Sequence, residues 1–132
     1  MATKSFSFQR SSHVAALLLG VAAAVGSVGS SYAAEQKAYI VNEIQVTDAA
    51  KYKVYADQVP PTLAPFGGTF MVRGGNPVVL GGAPIAGRIV VVEFPSREKA
   101  MAWHESAAYQ KILPIRNANS TSRVYIVDGA AP

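Results

Sequence analysis

His104 is the residue in this sequence best suited to acid–base chemistry. It is one of two histidines in the chain, and an imidazole is the side chain that most readily exchanges a proton near neutral pH. It follows Trp103 in a segment of helical periodicity, so it lies at the border of a predicted buried stripe. Two hypotheses stand: a general base, or a partly exposed histidine that bonds to solvent or to Glu105.

Arg73 and Glu93 lie near the ends of two strands that we predict to be neighbours. A charged pair at that place could face a pocket, where the planar guanidinium of Arg73 is suited to hold a carboxylate or enolate oxygen. The alternative is a structural salt bridge between the strands, or a contact between two sheets.

Polar and aromatic side chains on the predicted inner faces are candidate ligand contacts. Asn42 shares a strand face with Ile40 and Ile44, so its amide should point toward the helices and must find partners there. We predict a ligand-binding set of Asn42, Tyr52, Tyr55, Glu93 and Trp103. The aromatic members recur at helical spacing, so ordinary core packing is the alternative.

Motifs that hold common cofactors are missing from the sequence. The chain has no cysteine and only one histidine, His104, beyond residue 34, which leaves too few ligands for a structural zinc site within one chain. It also lacks a phosphate-binding loop, a nucleophile elbow and a dinucleotide fingerprint. We therefore expect neither a metal nor an organic cofactor.

The first 34 residues have the three-part order of a secretory signal peptide. Lys4 and Arg10 supply positive charge, residues 14–28 are apolar, and small residues follow, with cleavage expected after Ala33. A membrane anchor is the alternative, but the apolar run is shorter than the roughly 20 residues that a span needs. We expect a periplasmic or secreted protein with no membrane contact after cleavage.

The remaining residues, 35–132, are of a size for a single domain. Removing Lys4 and Arg10 from the 12 basic residues leaves 10 against 8 acidic ones, and these charges are interspersed. A nucleic-acid partner is not expected, because its binding needs a basic stripe. Without cysteine no disulfide can form in an oxidising compartment, so we expect an oligomer to add buried surface.

Alternating or β-branched residues predict strands at 39–46, 69–73, 88–94 and 124–127. The composition of residues 88–94 is typical of a central strand buried on both faces. The short apolar run 78–80 predicts an additional edge strand. The glycine-rich stretch 74–87 around it is either a mobile lid or a plain hairpin connection.

Two helices are predicted between these strands, and Asp48 and Ser96 are suited to cap their first turns. The first should end or kink at Pro60-Pro61, with a short helix over 61–66, because proline lacks the backbone N–H. The second should end near Leu113-Pro114, before a polar loop over 117–122. Its expected buried stripe is Ala100, Trp103 and Ala107.

The element order β-α-β-(β)-β-α-β predicts an α+β, ferredoxin-like fold, in which an antiparallel sheet carries both helices on one face. The sequence also resembles the domain of unknown function 1330 family (DUF1330) over residues 37–128. The motifs that carry the resemblance are Val72-Arg73-Gly74-Gly75, Val91-Val92-Glu93-Phe94-Pro95 and Trp103…Ser106…Tyr109. It implies a dimeric α/β barrel but no particular reaction. Asn42 and His104 depart from the family pattern.

Two main functions follow from these observations. In the first, the domain is an exported homodimer that binds a small, partly apolar molecule between its sheet and its helices. In the second, it is a cofactor-independent monooxygenase or isomerase acting on an activated carbonyl compound. There His104 is the base and Arg73 stabilises the anion, which requires both to flank one cavity within about 7 Å. A structural dimer without a ligand is a third possibility.

Overall fold

The computed structural model describes residues 35–131, and the predicted signal peptide lies outside this range. The elements are β1 (Ala38–Val46), α1 (Ala49–Leu63), a 3₁₀ turn (Ala64–Phe66), β2 (Thr69–Gly75), β3 (Arg88–Phe94), α2 (Arg97–Glu105), α3 (Ala107–Asn119) and β4 (Ser120–Asp128). The strands form one antiparallel sheet in the order β2-β3-β1-β4. This confirms the predicted α+β, ferredoxin-like fold.

Strict alternation along β1 separates the two faces of the sheet. Its even-numbered residues from Ala38 to Ile44 are buried, and the odd-numbered residues between them are half-buried. Ile40 pairs with Val92 of β3 on one side and with Ile126 of β4 on the other. These residues meet the helices, so the hydrophobic core lies on one face of the sheet and the opposite face is left open.

The first helix begins at its predicted cap but does not stop at the two prolines. The Asp48 carboxylate accepts a hydrogen bond from the Lys51 backbone N–H at 3.0 Å. The helix then continues through Pro60 and Pro61 to Leu63 and is followed by a 3₁₀ turn over Ala64–Phe66, so the predicted end at the prolines and the separate helix over 61–66 are wrong. Because Pro60 has no N–H, the carbonyl of Ala56 one turn earlier is left to accept from another donor.

The second predicted helix is divided into α2 and α3 at Ser106. Ser106 has an extended backbone, ends α2, and accepts a hydrogen bond from the Tyr109 N–H at 3.3 Å as the cap of α3. The restart changes which residues face inward. Ala107 is exposed, contrary to the prediction, and Tyr109 and Ile112 are buried in its place.

The third helix runs through Pro114 to Asn119, and β4 starts at the next residue. The predicted helix end at Leu113-Pro114 and the polar loop over 117–122 are therefore wrong. Asn119 stabilises this junction, because its side chain donates to the Ile115 carbonyl at 2.8 Å and its own carbonyl accepts from Thr47 at 3.0 Å. Hydrogen bonds to α3 and to the end of β1 thus replace the solvent contacts of a loop.

The connection between β2 and β3 contains no strand. Val78 and Leu80 are 82% and 97% exposed, so the predicted edge strand at 78–80 is wrong. The last pair of the β2–β3 ladder joins Gly75 to Ile89, and residues beyond it have no partner strand.

Strand β3 is buried on the helix face alone. Val92 and Phe94 are 3% and 0% exposed, whereas Ile89 and Val91 are half-buried. Within residues 35–131 no second layer covers the open face, so the predicted burial on both faces is not found in this part of the chain. No helix within residues 35–131 has the length and hydropathy needed to cross a membrane.

Two glycines in the β2–β3 connection provide a matched test of how closely this connection packs against β1. Both have positive φ, but a Cβ on Gly87 would lie 2.0 Å from the Ile44 carbonyl oxygen, whereas one on Gly82 would meet open space. Gly82→Ala should lower the free energy of unfolding by about 1 kcal/mol, and Gly87→Ala by at least about 3 kcal/mol because backbone must move. Urea denaturation measures both. Equal losses would contradict the close approach of Gly87 to β1.

Candidate functional site

A cavity of about 570 Å³ lies between the helix face of the sheet and helices α1 and α3. Its walls are formed by apolar, aromatic and basic side chains together with one asparagine. The lining residues that bear polar or aromatic groups are Asn42, Tyr52, Lys53, Tyr55, Phe70, Arg73, Arg88, Trp103, Tyr109 and Arg116. The structure thus brings five of the predicted site residues, Asn42, Tyr52, Tyr55, Arg73 and Trp103, to one cavity.

One wall of the cavity is a row of aromatic rings. Tyr52 and Tyr55 are three residues apart on α1, which places them on one helix face with their ring centroids 5.5 Å apart. Tyr109 of α3 continues the row at 6.4 Å from Tyr55, and its centroid lies 4.0 Å from that of Trp103 on α2. Flat apolar surfaces of this kind favour an aromatic or cyclic ligand.

A hydrogen-bond chain joins two hydroxyls of this row to Arg116. Arg116 donates to the Tyr109 hydroxyl at 2.9 Å, and the Tyr109 and Tyr55 hydroxyls share a hydrogen bond at 3.3 Å. Burial, followed by the effect of Tyr109, raises the pKa of Tyr55 well above its ordinary value. The Tyr55 phenol therefore keeps its proton and serves the cavity as a hydrogen-bonding group rather than as a base.

Asn42 contributes an amide to the floor of the cavity. Asn42 is 7% exposed, and its side-chain oxygen has no hydrogen-bond partner within residues 35–131. An unsatisfied buried oxygen is unfavourable, by about 1–3 kcal/mol. A ligand that donates a hydrogen bond would remove this cost.

Arg73 is held against α1 by the carbonyl that Pro60 leaves free. Its guanidinium donates to the Ala56 carbonyl at 3.2 Å and lies over the Phe70 ring at 4.7 Å from the ring centroid. The side chain is exposed at the residue level and lines the mouth of the cavity. Pro60 thus does not end the helix, and the carbonyl that it leaves free accepts a hydrogen bond from Arg73 instead.

Arg88 and Arg116 also line the cavity, but the sequence analysis did not predict them as site residues. Arg88 lies over the Tyr52 ring at 5.0 Å, and its Nε is buried without a partner among residues 35–131. Its alternation with Val90 and Val92 was a signal that it faces the helices. Arg116 is 7% exposed, and its spacing of seven from Tyr109 is the period of a buried helical stripe.

Glu93 lies on the open face of the sheet and not in the cavity. It accepts hydrogen bonds from Lys37 at 2.8 Å and from the Tyr39 hydroxyl at 3.0 Å, and these lower the pKa of its carboxyl. The strand register pairs Glu93 with Thr69 and Arg73 with Val90. The expected Arg73–Glu93 pair is therefore wrong, because the two side chains serve opposite faces.

His104 lies beside the cavity but does not line it. It is half-buried on α2, with its ring centroid 5.5 Å from that of Tyr109, which does line the cavity. The enzyme hypothesis requires Arg73 and His104 to flank one cavity. Arg73 lines the cavity and His104 does not, so this requirement is not met.

Residues 35–131 contain no cluster of three or more histidine, aspartate or glutamate side chains that could hold a metal ion. The groups that line the cavity are amide, phenol, guanidinium and ammonium. Cationic groups repel a metal ion, whereas they attract organic anions. The donor set thus favours an organic ligand.

An antiparallel four-stranded sheet with helices on one face and a cavity between the layers defines a ferredoxin-like α+β domain. The chain belongs to the domain of unknown function family DUF1330, whose sequence profile matches residues 37–130. This confirms the resemblance found in the sequence. Comparison with curated protein sequences finds no match.

Among the solved structures similar to this chain are two that illustrate the range of matches. A protein of unknown function from Rhodopseudomonas palustris has a TM-score of 0.62 at 18% identity, and the match covers 74% of this chain and 85% of that one. SnoaB, a cofactor-independent oxygenase from Streptomyces nogalater, has a TM-score of 0.50 at 14% identity, covering 74% of this chain and 96% of that one. At such identities the similarity establishes the shared fold.

Replacing His104 tests its place at the border of the core. His104→Ala should change the free energy of unfolding by less than about 1 kcal/mol, because the residue is half-buried. The neighbouring Trp103→Ala should cost about 3–5 kcal/mol, since that indole is 3% exposed and packs on Phe94 and Tyr109. Chemical denaturation measures both changes. A loss of several kcal/mol in the histidine variant would identify His104 as a core residue.

Proposed function

We propose that this chain is an exported protein that binds a small, partly apolar molecule in the cavity between its sheet and its helices, and that it does so as a homodimer. The observation that carries the binding function is the cavity itself. Its volume of about 570 Å³ falls in the range of pockets that enclose small organic ligands, about 300–1,000 Å³.

The composition of the cavity walls supports binding of an organic molecule. Apolar side chains of β1, β3 and α1 form most of the surface, and a few polar groups converge on it, among them the Asn42 amide and the Tyr55 hydroxyl. Walls of this kind bury the apolar body of a ligand while the polar groups set its orientation.

Binding is favoured over base catalysis by the protonation states of the lining. Arginine and lysine are cations at neutral pH, and burial keeps Tyr55 protonated. His104, the base of the enzyme hypothesis, does not line the cavity. A cofactor-independent monooxygenase or isomerase built on this cavity would therefore have to act on a substrate that is already ionised when it binds.

The test is native mass spectrometry of the protein purified from the exported fraction of its own host. We expect wild-type protein to retain a small molecule. Val90→Phe, which places a ring on the cavity floor, should lose that molecule, and Val54→Phe, on an exposed position outside the lining, should retain it. Denaturation curves establish that both variants fold.

Emission of Trp103 gives a second readout, because it is the only tryptophan of the chain and lines the cavity. Release of the retained molecule should shift its emission in wild type and leave Val90→Phe unchanged. The binding function would be contradicted if wild-type protein retained no small molecule and the treatment meant to release it left the Trp103 emission unchanged. Conversion of the retained molecule with consumption of oxygen would favour the enzyme instead.

The homodimer is proposed to form through the open face of the sheet. Apolar side chains occupy this face, including Val72, Tyr125 and Val127, which are 38%, 42% and 41% exposed. The acids there are already neutralised within the chain, since Glu43 binds Arg123 at 2.8 Å and Glu93 binds Lys37. An apolar face with satisfied charges suits contact with a second sheet, and a two-fold pair of identical chains is the commonest arrangement.

Adjacent valines of β3 test the dimer, because they point to opposite faces. Val91 is half-buried on the open face, and Val92 is 3% exposed in the core. Val91→Asp should convert a dimer into a folded monomer, whereas Val92→Asp should unfold the chain by burying a charge. Light scattering at micromolar concentration measures the mass. A wild-type mass of one chain would contradict the dimer.

A further inference from the structure

The cavity that we propose as the binding site has an unusual charge. Four of its lining residues are basic, Lys53, Arg73, Arg88 and Arg116, and none of the lining residues is aspartate or glutamate. Guanidinium groups do not lose their proton in proteins. Positive charge is therefore a permanent property of this cavity at any physiological pH.

The three arginines have no carboxylate partner within residues 35–131. Arg73 donates to the Ala56 carbonyl, and Arg116 donates to the Tyr109 hydroxyl and the Asn117 side-chain oxygen, all of which are neutral. Of the four basic lining residues, Lys53 alone has an acidic partner within residues 35–131, Asp57. A buried cation without an anion is unfavourable, so the cavity attracts negative charge from outside the chain.

The strand register places the polar groups that could receive this charge together. Asn42 of β1 and Arg73 of β2 both pair with Val90 of β3, one from each side. Arg88 is two residues from Val90 and so shares its face, which makes it the diagonal neighbour of both. These three residues of three adjacent strands thus lie at neighbouring positions on the cavity face of the sheet, and the guanidinium groups of Arg88 and Arg73 reach successive turns of α1, at Tyr52 and Ala56.

These neighbouring positions also hold the two unpartnered polar atoms, a donor and an acceptor. The Nε of Arg88 and the side-chain oxygen of Asn42 are buried and have no hydrogen-bond partner within residues 35–131. The aromatic row of Tyr52, Tyr55 and Tyr109 extends from Arg88 toward Arg116. A cationic end beside an apolar wall is complementary to a ring that carries an acidic group.

We infer that the ligand of this cavity is an aromatic organic acid in its ionised form, bound with its carboxylate on Arg88 and its ring along Tyr52 and Tyr55. This inference rests on the proposed binding function and specifies the class of molecule. The carboxylate accepts hydrogen bonds from Arg88, the exposed Arg73 attracts it at the mouth, and Arg116 adds positive potential from the far end of the aromatic row.

Calorimetric titration of the mature protein with matched pairs of probes tests the charge of the ligand. The acids are benzoate, 2-naphthoate and biphenyl-4-carboxylate, and each is compared with its neutral carboxamide of nearly equal shape. We expect at least one acid to bind wild-type protein, and to do so at least about tenfold more tightly than its amide, as a charge-assisted hydrogen bond implies. This preference should decrease as salt is added.

Arginine variants assign the preference to one end of the cavity. Arg88→Gln should abolish the preference for the acid while changing the affinity of the amide by less than about twofold, since it removes only the charge-assisted term. Arg73→Gln should weaken acid binding to a smaller extent and serves as the second variant should Arg88→Gln fold poorly. Arg97→Gln, whose ion pair with Asp128 lies outside the lining, should bind as wild type does.

Three results would overturn the inference. Equal affinity for an acid and its amide would show that the cavity binds ring systems without regard to charge, and the proposed binding function would stand. Failure of all three acids to bind would exclude this ligand class, while native mass spectrometry of the wild-type protein would still decide the binding function. An equal loss in Arg97→Gln would show that the charge preference belongs to the surface and not to the cavity.

Discussion

The indole of Trp103 is the contact on which the layers of this domain depend. Its N–H donates to the Thr62 hydroxyl at 3.0 Å, and that hydroxyl donates to the Val59 carbonyl at 2.7 Å, so α2 is tied to the last turn of α1. The ring packs on Phe94 of the sheet at 5.5 Å and on Tyr109 of α3 at 4.0 Å. One buried side chain thereby joins three helices and the sheet, and it also forms part of the cavity wall.

The break between α2 and α3 at Ser106 determines which side chains of α3 face the interior. A continuous helix would have buried the small Ala107, whereas the restart buries Tyr109 and directs its hydroxyl to both Tyr55 and Arg116. The hydrogen-bond chain holds α1 and α3 together and supports the aromatic row. The residues that stabilise the fold are therefore the same residues that shape the cavity, so the domain's stability and its proposed ligand are physically linked.

The sheet separates charge between its two faces. Glu43 and Glu93 lie on the open face, where Arg123 and Lys37 donate to them and lower their carboxyl pKa values. The cavity face carries basic side chains and no acid among its lining residues. Period-two alternation produces this separation, since neighbouring residues of one strand face opposite sides. The proposed dimer face and the proposed ligand site are thus electrostatically distinct although they share the same strands.

The sequence by itself determined the family, the order of the four strands and the caps Asp48 and Ser96, because alternation, helical spacing and capping are local properties. It also indicated Asn42, Tyr52, Tyr55, Arg73 and Trp103, which the structure brings to one cavity. Only the tertiary structure decided the passage of α1 through its prolines, the break at Ser106 and the assignment of charges to faces. These depend on long-range partners, such as Arg73 on the carbonyl of Ala56, and a local pattern cannot specify a partner that lies far away along the chain.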